Sequence, residues 1–212
     1  MATKWTWLSG FASDLSVWED DFASAAPDAE HTFISYADVV KHFKDPFAAF
    51  PGLAAADVVV GWDIGALSLL RSQAARPAGQ KWILLAPPVN FCHPQNGWPR
   101  KNVLMMSREV LKNPRDVVEN CFEYMGPCEE SIHDEWLEHS VKVPADLLSK
   151  SFEYLADSTF EEPVPVNDTD VYFGKEDEWV SPALAESIKA VLPGATFHDR
   201  LRSGHCAQTL LF

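Results

Sequence analysis

The segment Gly61-Trp62-Asp63-Ile64-Gly65 sets a carboxylate between two glycines, directly after the apolar run at residues 57–60 (DVVV) and directly before a helix-forming stretch. Strand, G-x-X-x-G turn and helix make a nucleophile elbow, in which the central side chain stands on a strained turn above the sheet. The glycines are required because a Cβ there would clash with the tight turn and the neighbouring strand. Such a turn ordinarily carries serine; here it carries Asp63. Residues 174–182 (GKEDEWVSP) follow another apolar run and put Asp177 on a loop ahead of a helix; Glu176 and Glu178 flank it and any of the three could face a histidine, with the spacing after Gly174 favouring Asp177. His205, in Ser203-Gly204-His205, follows the last strand-like run. Nucleophile position, acid and histidine therefore occur in the chain order of a hydrolytic triad. The run KWTWL at residues 4–8 ends in Ser9-Gly10-Phe11, and the backbone N–H groups of Phe11 and Ile64 are the candidates for an oxyanion hole.

A carboxylate at the elbow changes the chemistry. Attack on an ester would give a mixed anhydride, about as reactive as anything it replaces, so Asp63 is a poor nucleophile for ester cleavage. If Asp63 and Asp177 both face His205, both favour its cationic form and raise its pKa, which hinders water activation.

These groups need a scaffold that presents loops at one edge. Strand-like runs at residues 4–8, 31–36, 57–61, 81–86, 171–173 and 196–198 alternate with helix-like segments at 13–25, 45–53, 64–75 and 182–192. Such alternation specifies an α/β fold, a mostly parallel sheet with helices on both faces. Residues 91–160 break the rhythm: they hold no strand but four amphipathic segments, at 103–111, 114–125, 131–141 and 144–155. The expected organisation is a core from residues 1–90 and 161–212 with a helical lid inserted at 91–160.

Composition narrows the function. The 212 residues include 17 Lys+Arg and 31 Asp+Glu, a net charge of −14 that repels nucleic acid and anionic membranes. No basic stretch leads into an apolar one at the N-terminus, and no apolar run is long enough to span a membrane. Cys92, Cys121, Cys128 and Cys206 form no CxxC pair, so reduced thiols and a cytoplasmic setting are expected. His31, His42, His93, His133, His139 and His198 read as surface or core residues, so no metal site is expected. Without a Gly-rich phosphate loop, no nucleotide cofactor is expected either.

The chain resembles the α/β-hydrolases and, among them, the pimeloyl-ACP methyl ester carboxylesterases of biotin synthesis. The similarity lies in residues 8–18 (LSGFASDLSVW), 61–70 (GWDIGALSLL), 82–88 (WILLAPP), 96–100 (NGWPR), 152–159 (FEYLADST), GKEDEWVSP and SGH. It implies serine-esterase ancestry, a four-helix lid and a triad at Asp63, Asp177 and His205, with Trp62 and Trp98 (and Phe11) lining an acyl pocket. Within the superfamily, aspartate nucleophiles belong to relatives such as haloalkane dehalogenases and epoxide hydrolases. The former usually carry Trp after the Asp, where this chain has Ile64; the latter use lid tyrosines, for which Tyr124 and Tyr154 are the candidates. The chain runs seven residues past His205, fewer than such relatives generally have, so a loosely packed histidine loop is expected.

Three readings follow: a carboxylic ester hydrolase weakened by Asp63, with a carrier-bound acyl methyl ester among its candidate substrates; an Asp-nucleophile hydrolase on an sp³ electrophile such as an epoxide or haloalkane; or a non-catalytic hydrolase fold that binds an acyl ligand or a partner. A carrier protein would dock on a basic island, Arg100, Lys101, Arg108, Lys112 and Arg115, whose only acid is Glu109.

Overall fold

Six short strands pair side by side as β1 (Lys4–Leu8), β2 (Glu30–Ile34), β3 (Val58–Trp62), β4 (Lys81–Leu85), β5 (Thr169–Gly174) and β6 (Thr196–Arg200). The computed structural model describes residues 2–13, 19–128 and 130–211, without the side chains of Glu130 and Ser131. All pairings are parallel, in the order β2-β1-β3-β4-β5-β6. Every residue of β3 is buried, which is why its sequence is continuously apolar and not alternating. The edge strand β6 (TFHDR) has no fully buried residue and carries charge instead.

Helices cover the sheet: α1 (Glu19–Ser24), α2 (Tyr36–Lys41), α3 (Pro46–Ala49), α4 (Pro51–Ala54) and α5 (Ile64–Arg71) precede β4. Four more lie between β4 and β5: α6 (Arg100–Glu109), α7 (Pro114–Glu123), α8 (Glu130–Ser140) and α9 (Ala145–Ala156). The last two are α10 (Pro182–Val191) and α11 (Ala207–Leu211). No described helix is long and apolar enough to cross a membrane.

Several boundaries differ from the sequence expectation. Of the helix expected over 13–25, the structure describes Glu19–Ser24 as helical, and residues 14–18 lie outside the described residues. The single helix expected over 45–53 is two one-turn helices, because Phe50 precedes Pro51 and is held out of the helical region (φ −121°, ψ 88°). The helix at 64–75 ends at Arg71, where the Ser72 hydroxyl bonds back to the Ser68 and Leu69 carbonyls. Helix α2 was hidden behind a β-rich neighbour; the Ser35 hydroxyl caps it by accepting from the Asp38 N–H.

The topology decides where a site forms. From β1 the chain moves outward to β2, then returns across β1 to pair β3 on its other side. The crevice at the carboxyl ends of β1 and β3 is thus a switch point, the usual ligand position in parallel α/β sheets. Phe11 follows β1 and Asp63 follows β3 at that crevice.

Candidate active site

Asp63 caps α5 with φ 49° and ψ −116°, a conformation non-glycine residues seldom adopt. Its amide donates to the Leu85 carbonyl (2.9 Å), and its carbonyl accepts from the Leu67 N–H (3.0 Å), so both ends are fixed. A Cβ on Gly61 would lie 2.8 Å from Ala66 Cα, and one on Gly65 would lie 2.6 Å from the Leu8 carbonyl oxygen. Glycine at these two positions lets the elbow sit against β1.

The two Asp63 oxygens have different surroundings. Oδ2 accepts the Phe11 N–H at 2.8 Å. Oδ1 faces His205 Nε2 at 3.5 Å, an ion-pair distance too long for a normal hydrogen bond. Neither Oδ1 nor Nε2 has a hydrogen-bond partner among the described residues. Ile64 is the first residue of α5, so its N–H lies outside the helix's own hydrogen bonding.

Asp177 sits after β5 and joins the backbone to the histidine. Its Oδ1 accepts the Trp179 and Val180 N–H groups (2.8 and 2.9 Å), and its Oδ2 accepts His205 Nδ1–H at 2.8 Å. Glu176 and Glu178 are exposed, so Asp177 is the acid that meets the imidazole. Asp63, Asp177 and His205 are 0%, 1% and 0% exposed. Burial pushes the His205 pKa down, but Asp177, and after it Asp63, outweigh that and hold it up at about 10, from an ordinary 6.5. His205 is therefore an imidazolium between two carboxylates at neutral pH.

A linked stability change follows. The folded pKa of His205 lies above the unfolded one, so its contribution is complete below about 6.5 and is lost as pH rises through about 10. Denaturant midpoints should fall more steeply from neutral to alkaline pH in the wild type than in Asp177→Asn. Parallel slopes would contradict the charge state.

The histidine loop is not loosely packed, contrary to the sequence expectation. Trp62 Nε1 donates to the His205 carbonyl (2.9 Å), and Ser203 Oγ donates to the Thr209 carbonyl (2.7 Å). Arg200 Nε donates to the Leu210 carbonyl, and α11 buries Ala207 and Leu210 behind the loop. Helix α11, which the sequence reading did not resolve, does the packing expected of a longer tail.

Trp62 is buried, with its ring 6.0 Å from that of His205 and 5.1 Å from that of Trp136, so it supports the histidine loop. Trp98 is half-buried; its indole donates to the Trp179 carbonyl (3.1 Å), and its ring packs on Phe91, Trp179 and Tyr124. Tyr124 is 40% exposed, and the Tyr154 hydroxyl points to the Val40 carbonyl (3.4 Å) with its ring stacked on Phe43. The residues missed from sequence are Tyr36 and Trp179. Tyr36 is buried, bonds the Ser151 hydroxyl, and is held from ionising by burial and by the Asp63 charge. Trp179 buries an indole N–H that has no acceptor among the described residues, beside Phe11. Only the position of Trp179 next to the acid loop could have signalled it.

In the basic island, Arg100 pairs with Asp157 (2.7 Å) and Arg115 with Glu138 (3.6 Å), while Lys101, Arg108 and Lys112 are exposed. Among the described residues no group of His, Cys, Asp and Glu side chains gathers to hold a metal.

A strained elbow, a carboxylate–imidazole pair and a backbone donor thus meet at the switch point of the parallel sheet. The family model described as alpha/beta hydrolase family matches residues 7–209, and the chain belongs to that family. Solved structures agree in fold. An esterase from Exiguobacterium antarcticum is 14% identical, with a TM-score of 0.74 over 96% of this chain and 85% of its own. A hydrolase from Oleispira antarctica (12%, TM-score 0.72, 99% and 86%) and a Bacillus megaterium epoxide hydrolase (13%, TM-score 0.62, 97% and 87%) are also similar. The search of curated proteins found no match.

Proposed function

We propose that this chain is a hydrolase in which Asp63 attacks an sp³ carbon and forms a covalent alkyl ester, with epoxides as the substrate class. The observation that carries the reading is the division of labour between the Asp63 oxygens. Oδ2 is seated on the Phe11 N–H, and Oδ1 is left for the electrophile. An ester oxyanion would need that same Phe11 donor, so cleavage of a carboxylic ester, carrier-bound or free, fits less well.

The charge state of His205 favours an epoxide over a haloalkane. Attack by Oδ1 breaks a ring C–O bond, and the alkoxide takes the Nε2 proton of the imidazolium. That step leaves His205 neutral and Asp63 uncharged as its ester, which removes one of the two charges that held the proton. Neutral Nε2 then draws a proton from water as it attacks Asp63 Cγ. The oxyanion develops on Oδ2, beside the Phe11 N–H. Collapse releases a diol and restores the carboxylate. A departing halide would need no proton, and the imidazolium would then stand in the way of the second half.

Full burial of the three groups requires the α6–α9 insertion to open as a lid before substrate enters. The same burial favours a second reading, a closed hydrolase fold that binds a ligand without turnover. Alkyl mass appearing on Asp63 after exposure to small epoxides supports catalysis. Ligand-dependent stabilisation without any adduct supports the second reading.

A further inference from the structure

Cys128 and Cys206 are 78 residues apart in sequence, yet their sulfurs lie 2.9 Å apart without a disulfide between them. They need close by only about 0.9 Å more to reach the roughly 2.05 Å of an S–S bond. The two thiols stand on different parts of the molecule. Cys206 directly follows His205, and Cys128 lies between α7 and α8 in the insertion that covers the site. This stretch of the insertion already threads between the two loops that carry the acid and the base. The His205 N–H donates to the Met125 carbonyl, and the Glu178 N–H donates to the Tyr124 carbonyl at 2.9 Å. A Cβ on Gly204 would lie 2.2 Å from the Met125 carbonyl oxygen, so the contact is backbone on backbone.

We infer that Cys128 and Cys206 form a redox latch: oxidation to a disulfide clamps the insertion to the histidine loop and holds the site closed. Partial exposure of Cys128 against full burial of Cys206 sets the order of events. A small-molecule disulfide such as oxidised glutathione first exchanges with Cys128, giving a mixed disulfide and one released thiol. The Cys206 thiolate then attacks the Cys128 sulfur, forms the internal S–S bond and expels the second thiol. Two electrons pass from the cysteine pair to the small disulfide, and the two cysteine protons end on the released thiols. Cys206 suits the resolving role. The hydrogen bond from Cys128 lowers its pKa, burial opposes this, and the Thr209 and Gln208 backbone and the His205 charge assist it. Closing S–S between segments that must separate stabilises the closed state at the expense of the open one.

The latch rests on the reading that the insertion opens, not on the identity of the nucleophile, so its test uses no turnover. The full chain is treated with oxidised glutathione, mapped by non-reducing peptide mass analysis, and followed by amide hydrogen exchange over residues 124–128 and 203–207. The expected result is a Cys128–Cys206 link, at least tenfold slower exchange in both segments, and recovery on reduction with dithiothreitol. Cys128→Ser should show wild-type exchange before treatment and no change after it; if that variant fails to fold, the dithiothreitol reversal in the wild type stands as the control. Failure to form this link, or a link that leaves exchange unchanged, overturns the inference. A lack of Asp63 adducts in separate experiments would count against the proposed function while leaving the latch standing.

Discussion

Asp63→Ser is expected to turn this chain into an esterase, raising p-nitrophenyl butyrate turnover by about 10²–10³-fold over the wild type. Serine at the elbow has one short arm, so the Phe11 N–H that now holds Asp63 Oδ2 becomes available to an ester oxyanion. His205 also loses one of the two carboxylates that keep it cationic, so its pKa falls toward the range where it works as a base. Asp177 remains on Nδ1 at 2.8 Å and keeps the ring oriented. The variant thus regains an ordinary triad on a backbone already shaped for it. A wild-type chain that cleaves the ester as fast as the variant would contradict the anhydride argument and the assignment of Oδ2.

His205→Gln is the second large effect. In the wild type, loss of the Asp63 charge on alkylation frees His205 to activate water. Glutamine has the reach to fill the space but no proton affinity, so the second half-reaction should slow by about 10³-fold or more. The alkyl ester on Asp63 should then accumulate and be visible as substrate mass on the peptide that carries it. The first half should slow as well, because the imidazolium proton is no longer delivered to the opened ring. Accumulation depends on the second loss exceeding the first, and the order is set by chemistry. Epoxide strain assists ring opening, whereas nothing assists water on a neutral ester. Product formation at the wild-type rate by His205→Gln would remove the histidine from the mechanism.

That Asp63, Asp177 and His205 come together was legible in the sequence because each sits where a chain-order rule and a local signal coincide. The G-x-D-x-G turn after a β-branched run fixes Asp63 at the crevice. The choice of Asp177 over Glu176 and Glu178 rested on spacing alone, and the exposure of both glutamates decides it. Other features were not legible because they depend on distant segments meeting. Tyr36 comes near Asp63 only because α2 packs beneath the insertion, where it bonds Ser151 on α9. The Cys128–Cys206 contact has no spacing signature. The histidine loop was misjudged because tail length was taken as the source of packing, whereas the five residues of α11 and the Trp62 indole supply it. The helix expected over 45–53 is split because Pro51 restrains Phe50, an effect that composition alone does not show.

The central claim is that Asp63 becomes an ester and that water restores it at Cγ. A single turnover of an epoxide in oxygen-18 water, with enzyme in excess, separates this from every direct route. The account predicts that the first diol carries only unlabelled oxygen, supplied by Asp63 Oδ1, and that the heavy atom appears in the Asp63 peptide. Label in the first diol, with none on Asp63, would mean that water attacks the substrate itself and that Asp63 is not the nucleophile.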